Sequence, residues 1–383
     1  MSHRHSIFCI LPPYMLDQIA QNGTSAQREM AIRTLVNSQQ LRDKRLTMTA
    51  TVMRAAYAVT GTKKRTVYDA KFGTNLPGTI VRTEGDAEVA DVTVNEAYDG
   101  SGATFDLYSV VYGRNSIDNN GMNLNSTVHY DKGYDNAFWD GKQMVYGDGD
   151  EDLPASQQLF NRFTISLDVI GHELTHGVTQ YEANLVYSNQ QGALNEAISD
   201  IFGSLVKQHQ RGQAADVADW IIGEGLFTAN VNGVGIRSMK APGTAYNDPV
   251  LGKDPQPAHM KDYVTTSQDN GGVHINSGIV NHAFYVMAIE IGGYAWEKAG
   301  QIWYKTLTDK LSSSSNFQNA ADLTFQTAGD IFGAGSLEQI AVKTGWSEVG
   351  ITVADSGGGV PPVPTPGGDG CLKGLMRSIG LAK

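Results

Sequence analysis

The sequence predicts an α+β fold in which a β-rich N-terminal lobe is followed by a mainly helical C-terminal lobe. The chain has 383 residues, of which 41% are hydrophobic, and this is enough for two packed lobes. Between about 65 and 150, short β-type runs such as "GTIVRTE" and "QMVYGDGD" alternate with Gly, Asn and Asp. From about 157 onward, apolar residues recur at helical spacing, as in "SLDVIGHELTHGVTQ" and "GIVNHAFYVMAIEIG". One helix, near "ATFDLYSVVYGR", is expected to interrupt the strands.

The start of the chain differs in charge from the rest. Residues 1–66 have ten Lys and Arg against three Asp and Glu, a net charge of +7, and the remainder has −18. Such a charge run is often only a solvated tail. A basic leader before an acidic body also indicates a detachable segment that binds the body electrostatically. Thr24 and Gln27 have capping-box spacing and predict a helix, and we expect proteolysis after it, in "LRDKRLTMTATVM".

Neither end of the chain has the pattern of a membrane or export segment. The N-terminal "IFCILPPYML" is apolar, but two prolines interrupt it and no small-residue cleavage site follows. No apolar run approaches the ~18 residues that a membrane-spanning helix needs. Near the other end, "SGGGVPPVPTPGGDG" has linker composition and precedes a short basic and apolar tail. Cys9 and Cys371 lie at opposite ends and do not form a disulfide framework.

The stretch "VIGHELTHGV" predicts a metal site. His172 and His176 are one helical turn apart and can direct their imidazoles at one point. Glu173 lies about 100° further round the helix and can approach that point without being a ligand. Two histidines that hold zinc with a glutamate as general base are the zincin arrangement. The alternative is a helix that merely exposes polar residues.

A second helix supplies the carboxylates that this hypothesis requires. A catalytic zinc held by two histidines needs a third protein ligand, usually a carboxylate. Glu196 and Asp200 in "ALNEAISDIFG" are again one turn apart. We expect Glu196 to bind the metal and Asp200 to accept the free N–H of a ligand histidine. Each alone would be an ordinary exposed carboxylate. The histidines His129, His209, His259 and His282 have no evident convergent partners and are not assigned to zinc.

At these residues the chain resembles the thermolysin-like zinc metalloproteases. The resemblance extends through "NAFWDGKQMVYGDGD", "GHELTHGVTQYEANLVYSNQQGALNEAISDIFG", "IRSM" and "SQDNGGVHINSGI", and covers most of 65–350. It implies a two-lobe zincin with the active-site cleft between the lobes. It also implies zinc on His172, His176 and Glu196, and a zinc-dependent endopeptidase activity.

The resemblance further implies roles for residues in the other motifs. Glu173 would be the general base, and Tyr187 and His274 would hydrogen-bond the developing oxyanion. Asp269 would orient His274. Asn136, Ala137 and Arg237 would hold the peptide backbone of the substrate. Apolar side chains would line the pocket for a bulky hydrophobic residue after the scissile bond, although such residues are more often simple core: Phe160, Phe163, Val169 and Ile236.

Two departures from the family pattern affect cofactors and latency. Asp168, Asp219 and Glu224 match three positions of a paired calcium site, but Lys207 and Ile221 stand where acidic ligands are expected. An ammonium at 207 would replace one cation, so we expect one calcium ion or none. The leader's "CILPPYML" resembles the short propeptide of the protealysin-like branch. We expect residues 9–14 to occupy the cleft, with Cys9 either a thiolate ligand of zinc or a small buried hydrophobe.

These observations predict the organisation of the chain. We expect a short propeptide at 1–50, a β-rich lobe with the zinc-binding helix at 51–180, a helical lobe at 181–355, and a linker and tail at 356–383. The expected partners are protein and peptide substrates and the chain's own propeptide, with no nucleic acid and no membrane span, and the expected state is a monomer. We expect secretion without a classical signal peptide, with a cytoplasmic location as the alternative.

Two alternatives to the endopeptidase function are compatible with the sequence. A metal-dependent binding or inhibitory module would keep the fold without turnover, but the retention of Glu173, Tyr187 and His274 argues against it. An aminopeptidase would need a group dedicated to a free amine, and none is evident in the sequence.

Overall fold

A computed structural model describes residues 8–45 and 61–354. The segment at 46–60, in which part of the expected cut region falls, lies outside the described residues. So does the whole of the predicted linker and tail, 356–383, including Cys371.

The N-terminal lobe contains a six-stranded mixed sheet with the order β1-β5-β6-β4-β2-β3. β2 pairs with β4 and β4 with β6 in parallel, and the other pairs are antiparallel. Every residue of β5 and β6 is buried, as expected for strands inside a sheet. The strands are β1 (Phe8–Cys9), β2 (Arg65–Asp69), β3 (Thr79–Thr83), β4 (Leu124–Val128), β5 (Ala137–Trp139) and β6 (Met144–Tyr146).

A helix packs on this sheet, but it begins earlier than the sequence pattern indicated. α3 (Val92–Asp106) starts where the Asp91 side chain accepts a hydrogen bond from the Thr93 N–H and so caps the helix. The apolar run in "ATFDLYSVVYGR" is its last part and the following π-helical turn, Leu107–Val111. The prediction located the last part of the helix and missed its first turns, in which Val94, Ala97 and Tyr98 are also buried.

The C-terminal lobe is helical, as predicted. Two small hairpins, β7 (Ile221–Ile222) with β8 (Arg237–Ser238) and β9 (Asn247–Asp248) with β10 (Gly252–Lys253), lie between its helices. Among the described helices, none is long and apolar enough to cross a membrane. The helices from the zinc-motif helix onward are α4 (Leu167–Tyr181), α5 (Asn189–Arg211), α6 (Asp269–Ile291), α7 (Lys298–Asp309), α8 (Phe317–Phe332) and α9 (Leu337–Glu348).

The leader folds against the body. Its helices are α1 (Pro13–Asn22) and α2 (Ser25–Arg45). The predicted capping box is present at the start of α2, because the Thr24 N–H donates to Gln27 Oε1 at 2.7 Å and the Gln27 N–H donates to Thr24 Oγ1 at 3.4 Å. Met15, Leu16 and Ile19 of α1 are buried in the main hydrophobic core. The leader therefore shares its core with the lobes.

The two helices that bear the zinc motif and its expected carboxylates cross at close range. A Cβ at Gly171 of α4 would lie 3.0 Å from the Cα of Gly203 in α5, and a Cβ at Gly203 would lie 2.4 Å from the Asp168 carbonyl oxygen. Only glycine fits at this crossing. The close approach lets the α5 side chains reach the α4 histidines.

His129 lies between two carboxylates, contrary to the expectation that it has no convergent partners. Its Nδ1 is 2.8 Å from Asp148 Oδ2 and its Nε2 is 2.8 Å from Asp91 Oδ2. The hydrogen bond from Asp148 raises the pKa of His129 to about 9; burial opposes this, and Asp91 adds to it. A protonated His129 therefore connects the start of α3 to the loop after β6.

We expect the substitution His129→Asn to destabilise the protein in a pH-dependent way. The pKa in the folded state lies above the ordinary value of 6.5, so the stabilisation is complete below pH 6.5 and is lost as the pH rises through about 9. The free energy of unfolding should fall by about 1–2 kcal/mol at pH 6, after allowance for partial solvent screening, and by little at pH 10. Denaturant unfolding at both pH values measures this. Asp148→Asn should show the same trend, and an equal loss at both pH values would contradict it.

Candidate active site

Three side chains from α4 and α5 converge in the interior. His172, His176 and Glu196 are fully buried, and each offers a ligand atom within 4.8 Å of the other two. The two Nε2 atoms are 3.0 Å apart. Glu196 lies 3.6 Å from His172 Nε2 through Oε2 and 3.4 Å from His176 Nε2 through Oε1. The predicted trio therefore meets at one point.

The geometry fits a zinc ion. Ligand atoms that bind one tetrahedral zinc at about 2 Å lie about 3.3 Å from one another, and the three separations lie around that value. Glu196 Oε2 is buried and accepts no hydrogen bond, which a ligated cation would explain. Burial and the nearby His172 lower the pKa of His176 well below its ordinary value, so the imidazole is in the neutral form that binds metal.

The second nitrogen of each histidine is held by a neighbour. His172 Nδ1 lies 2.8 Å from Asp200 Oδ1, as predicted. His176 Nδ1 lies 2.9 Å from Asn195 Oδ1 and 3.0 Å from Ser199 Oγ. Such contacts fix the tautomer and the orientation of a metal ligand. The sequence analysis missed Asn195 and Ser199, although both flank the predicted carboxylates on α5.

Asp200 also connects the histidines to a buried arginine. Arg237 Nε and Nη2 donate to the two Asp200 oxygens at 2.8 and 2.7 Å, and Asn281 Nδ2 donates to Oδ2 at 2.8 Å. Burial raises the pKa of Asp200, but Arg237 and His172 together lower it below its ordinary value, so the carboxyl is ionised. Asn281, on α6, was not predicted.

Glu173 faces the same point from α4. Its Oε2 accepts the Trp139 N–H of β5 at 3.0 Å. Burial, followed by the charge of Glu196, raises the pKa of Glu173 well above its ordinary value. A raised pKa suits a carboxylate that takes up a proton and releases it again.

His274 and Tyr187 lie on the opposite side of Glu196. Tyr187 donates a short hydrogen bond to Glu196, and its hydroxyl is 3.3 Å from His274 Nε2. Asp269 accepts from His274 twice, at the backbone N–H (2.8 Å) and at Nδ1 (2.6 Å). Burial lowers the pKa of His274, but Asp269 and then Glu196 raise it above its ordinary value overall. His274 is thus held as a proton donor.

The residues expected to hold a substrate backbone instead hold the leader. Asn136 Oδ1 accepts the Leu11 N–H at 2.9 Å, and the Ala137 carbonyl accepts the Ile10 N–H at 3.3 Å. Arg237 Nη1 donates to the Ile10 carbonyl at 3.2 Å. The four expected pocket residues are fully buried in the core that also contains Ile10 and Leu11: Phe160, Phe163, Val169 and Ile236.

Cys9 lies in β1, beside β5. The one group of potential ligands found among the described residues is His172, His176 and Glu196. Cys9 is buried in a cluster with Tyr130, Phe138 and neighbouring side chains. Its carbonyl oxygen lies 3.1 Å from His274 Nε2. The zinc-ligand role and the buried-hydrophobe role of its thiol both stay predictions.

At the expected calcium site an ammonium lies among the carboxylates. Lys207 Nζ is 2.7 Å from Asp168 Oδ2, 2.8 Å from Asp219 Oδ1 and 3.9 Å from Glu224 Oε2. It also donates to the Ile221 carbonyl at 2.7 Å. Burial lowers the pKa of Lys207, but Asp168 and Asp219 more than compensate, so the group is charged.

The fold and this constellation define a two-lobe zinc metallopeptidase. Comparison with known families identifies the family of the chain. Residues 36–180 match the model "Thermolysin metallopeptidase, catalytic domain", and residues 183–351 match "Thermolysin metallopeptidase, alpha-helical domain". The chain therefore belongs to the thermolysin metallopeptidase family.

Individual relatives agree with this assignment. The chain is 49% identical over 357 residues to Protease PrtS of Photorhabdus sp. (strain Az29), a match that covers 90% of this chain and 92% of that protein. It is 47% identical to the extracellular metalloprotease of Pectobacterium carotovorum subsp. carotovorum, with 91% and 97% covered. The solved precursor of protealysin from Serratia proteamaculans matches with a TM-score of 0.80 and 50% identity, over 90% of this chain and 100% of that chain.

The substitution Asp200→Asn should weaken zinc binding. It preserves volume but removes the charge that orients His172 and pairs with Arg237, and loss of such a support typically costs about 10–100-fold in metal affinity. Competition with a fluorescent chelator measures the affinity. The exposed carboxylate Asp309, changed to Asn, is the control and should leave zinc binding unchanged. Equal affinities in all three proteins would contradict the assigned support.

Lys207→Met should destabilise the protein by about 3–5 kcal/mol, because it leaves buried carboxylates without their cation. Millimolar calcium should restore part of this loss in the variant and have no such effect at this site in the parent protein. Thermal unfolding with and without calcium tests both. Lys298→Met, which removes an exposed pair with Glu338, should cost less than about 1 kcal/mol. A loss no larger than that control would rule out the cation replacement.

Proposed function

We propose that this thermolysin-family zinc endopeptidase hydrolyses peptide bonds with Glu173 as general base and with His274 and Tyr187 as oxyanion donors. The single observation that supports it most is the convergence of His172, His176 and Glu196 beside Glu173. His172, His176 and Glu196 would hold zinc, which supplies Lewis-acid chemistry and an activated water when bound.

The residues around the three zinc ligands have separate roles in the proposed peptide hydrolysis. Glu173, fixed by the Trp139 N–H, takes a proton from the attacking water and delivers it to the leaving amine. His274, oriented and kept protonated by Asp269, donates to the developing oxyanion together with the Tyr187 hydroxyl. Asn136, Ala137 and Arg237 fix the peptide backbone so that the reacting bond lies between these groups.

We assign the substrate preference to bulky hydrophobic residues after the scissile bond. The support is that Ile10 and Leu11 of the leader, next to Arg237 and Asn136, are at most 1% exposed. The proposed lining of the pocket is Phe160, Phe163, Val169 and Ile236.

The leader makes the enzyme latent. It occupies the backbone-binding groups that a substrate would need, and the protealysin structure that the chain resembles is that of a precursor. The boundaries proposed for the mature enzyme remain 51–180 and 181–355. We propose a monomer that is secreted, on the ground that a relative is named extracellular, by a route without a classical signal peptide.

Replacing Glu173 by Gln should lower kcat by about 10²–10⁴-fold while the protein still binds one zinc per chain. Hydrolysis of casein, with metal content measured on the same sample, tests this. Removal of zinc with a chelator should abolish hydrolysis, and added zinc should restore it. Zinc binding without any hydrolysis, in the parent protein freed of its leader by limited proteolysis, would instead support the binding module.

A blocked peptide separates the endopeptidase from an aminopeptidase. An acetylated and amidated peptide with a central Leu should be cut on the amino side of that Leu, because no free amine is needed. The same peptide with Asp in place of Leu should be cut at least about tenfold more slowly, since a buried apolar pocket does not solvate a carboxylate. Cleavage that requires a free N-terminus would exclude the proposal.

A further inference from the structure

The leader strand lies beside β5 in one defined register. β1 runs antiparallel to β5, with Cys9 opposite Phe138. After it, the Ile10 N–H donates to the Ala137 carbonyl at 3.3 Å. Leu11 then forms two hydrogen bonds with one side chain, because its N–H donates to Asn136 Oδ1 (2.9 Å) and its carbonyl accepts from Asn136 Nδ2 (3.4 Å). Each leader residue from 9 to 11 is therefore matched to a fixed partner.

In this register one peptide bond lies at the reacting groups. The carbonyl oxygen of Cys9 is 3.1 Å from His274 Nε2, the proposed oxyanion donor. The N–H of Ile10, on the other side of the same bond, faces the Glu173 carboxylate. The next carbonyl, that of Ile10, is bound by Arg237 at 3.2 Å and is thereby assigned to backbone binding. Only the bond between Cys9 and Ile10 has its oxygen at His274 and its nitrogen at Glu173.

We propose that the Cys9–Ile10 peptide bond is itself a substrate of the enzyme, so that the leader is a bound substrate and not an inert plug. The inference rests on the proposed function. In the step, a water oxygen bonds to the Cys9 carbonyl carbon and the C–N bond breaks. Glu173 transfers a water proton to the Ile10 nitrogen. The second water proton also passes to this nitrogen, so the products are a Cys9 carboxylate and an Ile10 ammonium group.

The step uses backbone groups, because the contacts with His274 and Ala137 are made by the Cys9 carbonyl and the Ile10 N–H. Ile10 is fully buried and supplies the branched aliphatic side chain that follows the scissile bond. After the cut, the leader from Ile10 onward keeps its anchors on the body. These include Ser38 Oγ to Tyr134 OH at 3.0 Å and the Asp135 N–H to Thr34 Oγ1 at 3.2 Å. Hydrolysis of this bond and release of the leader are therefore separate events.

The test is intact-mass spectrometry with N-terminal sequencing of the zinc-loaded full chain, incubated at neutral pH. We expect a chain that begins at Ile10 and the peptide of residues 1–9. The Glu173→Gln chain should not form either product, which excludes a contaminating protease. Ile10→Asp should slow this cut at least about tenfold. The control Ile32→Asp changes a leader residue that is 52% exposed on α2 and should leave the rate unchanged.

Two further experiments, with a Cys9→Ser variant and with a synthetic peptide, separate this inference from the proposed function. Cys9→Ser should be cut at the same bond within about twofold of the parent rate, and loss of the cut there would overturn the assignment to backbone contacts. A synthetic peptide of residues 4–16, added to the wild-type enzyme after limited proteolysis of its leader, should be cut between Cys9 and Ile10 whatever the folding of the leader variants. If the leader-free enzyme hydrolyses casein while this bond stays intact in both chain and peptide, the present inference fails and the proposed function stands. If zinc is bound and casein is not hydrolysed even without the leader, both fail.

Discussion

One buried carboxylate fixes the arrangement on which the rest of the site depends. Asp200 accepts from His172, from two nitrogens of Arg237 and from Asn281, and all of these groups are buried. A buried carboxylate without partners costs several kcal/mol, so the fold must bring all three side chains to one place. The same ion pair thereby orients a zinc ligand and positions the arginine that binds a peptide carbonyl. The metal centre and the backbone-binding groups are therefore positioned by the same ion pair.

The sequence predicted well which site residues lie on the same side of one helix. His172 with His176, and Glu196 with Asp200, are one helical turn apart, and helical geometry alone places each pair on one side. The sequence could not reveal that Gly171 and Gly203 let the helices approach, because a contact across two helices has no periodic signal. Asn281 and the Trp139 N–H were missed for the same reason, since they lie 81 and 34 residues from their partners. The leader strand has only two residues, too few for any β pattern.

Lys207 replaces a metal cation in the expected calcium site. Asp168, Asp219 and Glu224 together have three negative charges close to one another, and a single ammonium does not balance them. Arg211 supplies a second positive charge, with Nη1 at 2.7 Å from Glu224 and 3.7 Å from Asp219. The two side chains match the charge of one divalent ion and are covalently part of the chain. A site built for calcium would instead supply six or more oxygen ligands to the ion.

Most described contacts between the leader and the body are uncharged. The sequence predicted that electrostatic complementarity holds the leader in part; within residues 8–40 and 61–354 no ion pair joins the leader to the body among those found. Arg33 donates instead to the Lys132 carbonyl, and Asn37 to Asp131. The other contacts are backbone pairing with β5, amide hydrogen bonds from Asn136 and burial of α1. Dissolved salt strongly screens interactions between exposed charges. It has only a weak effect on hydrogen bonds and buried apolar contacts such as these. We therefore expect these described contacts to hold the leader with little dependence on ionic strength.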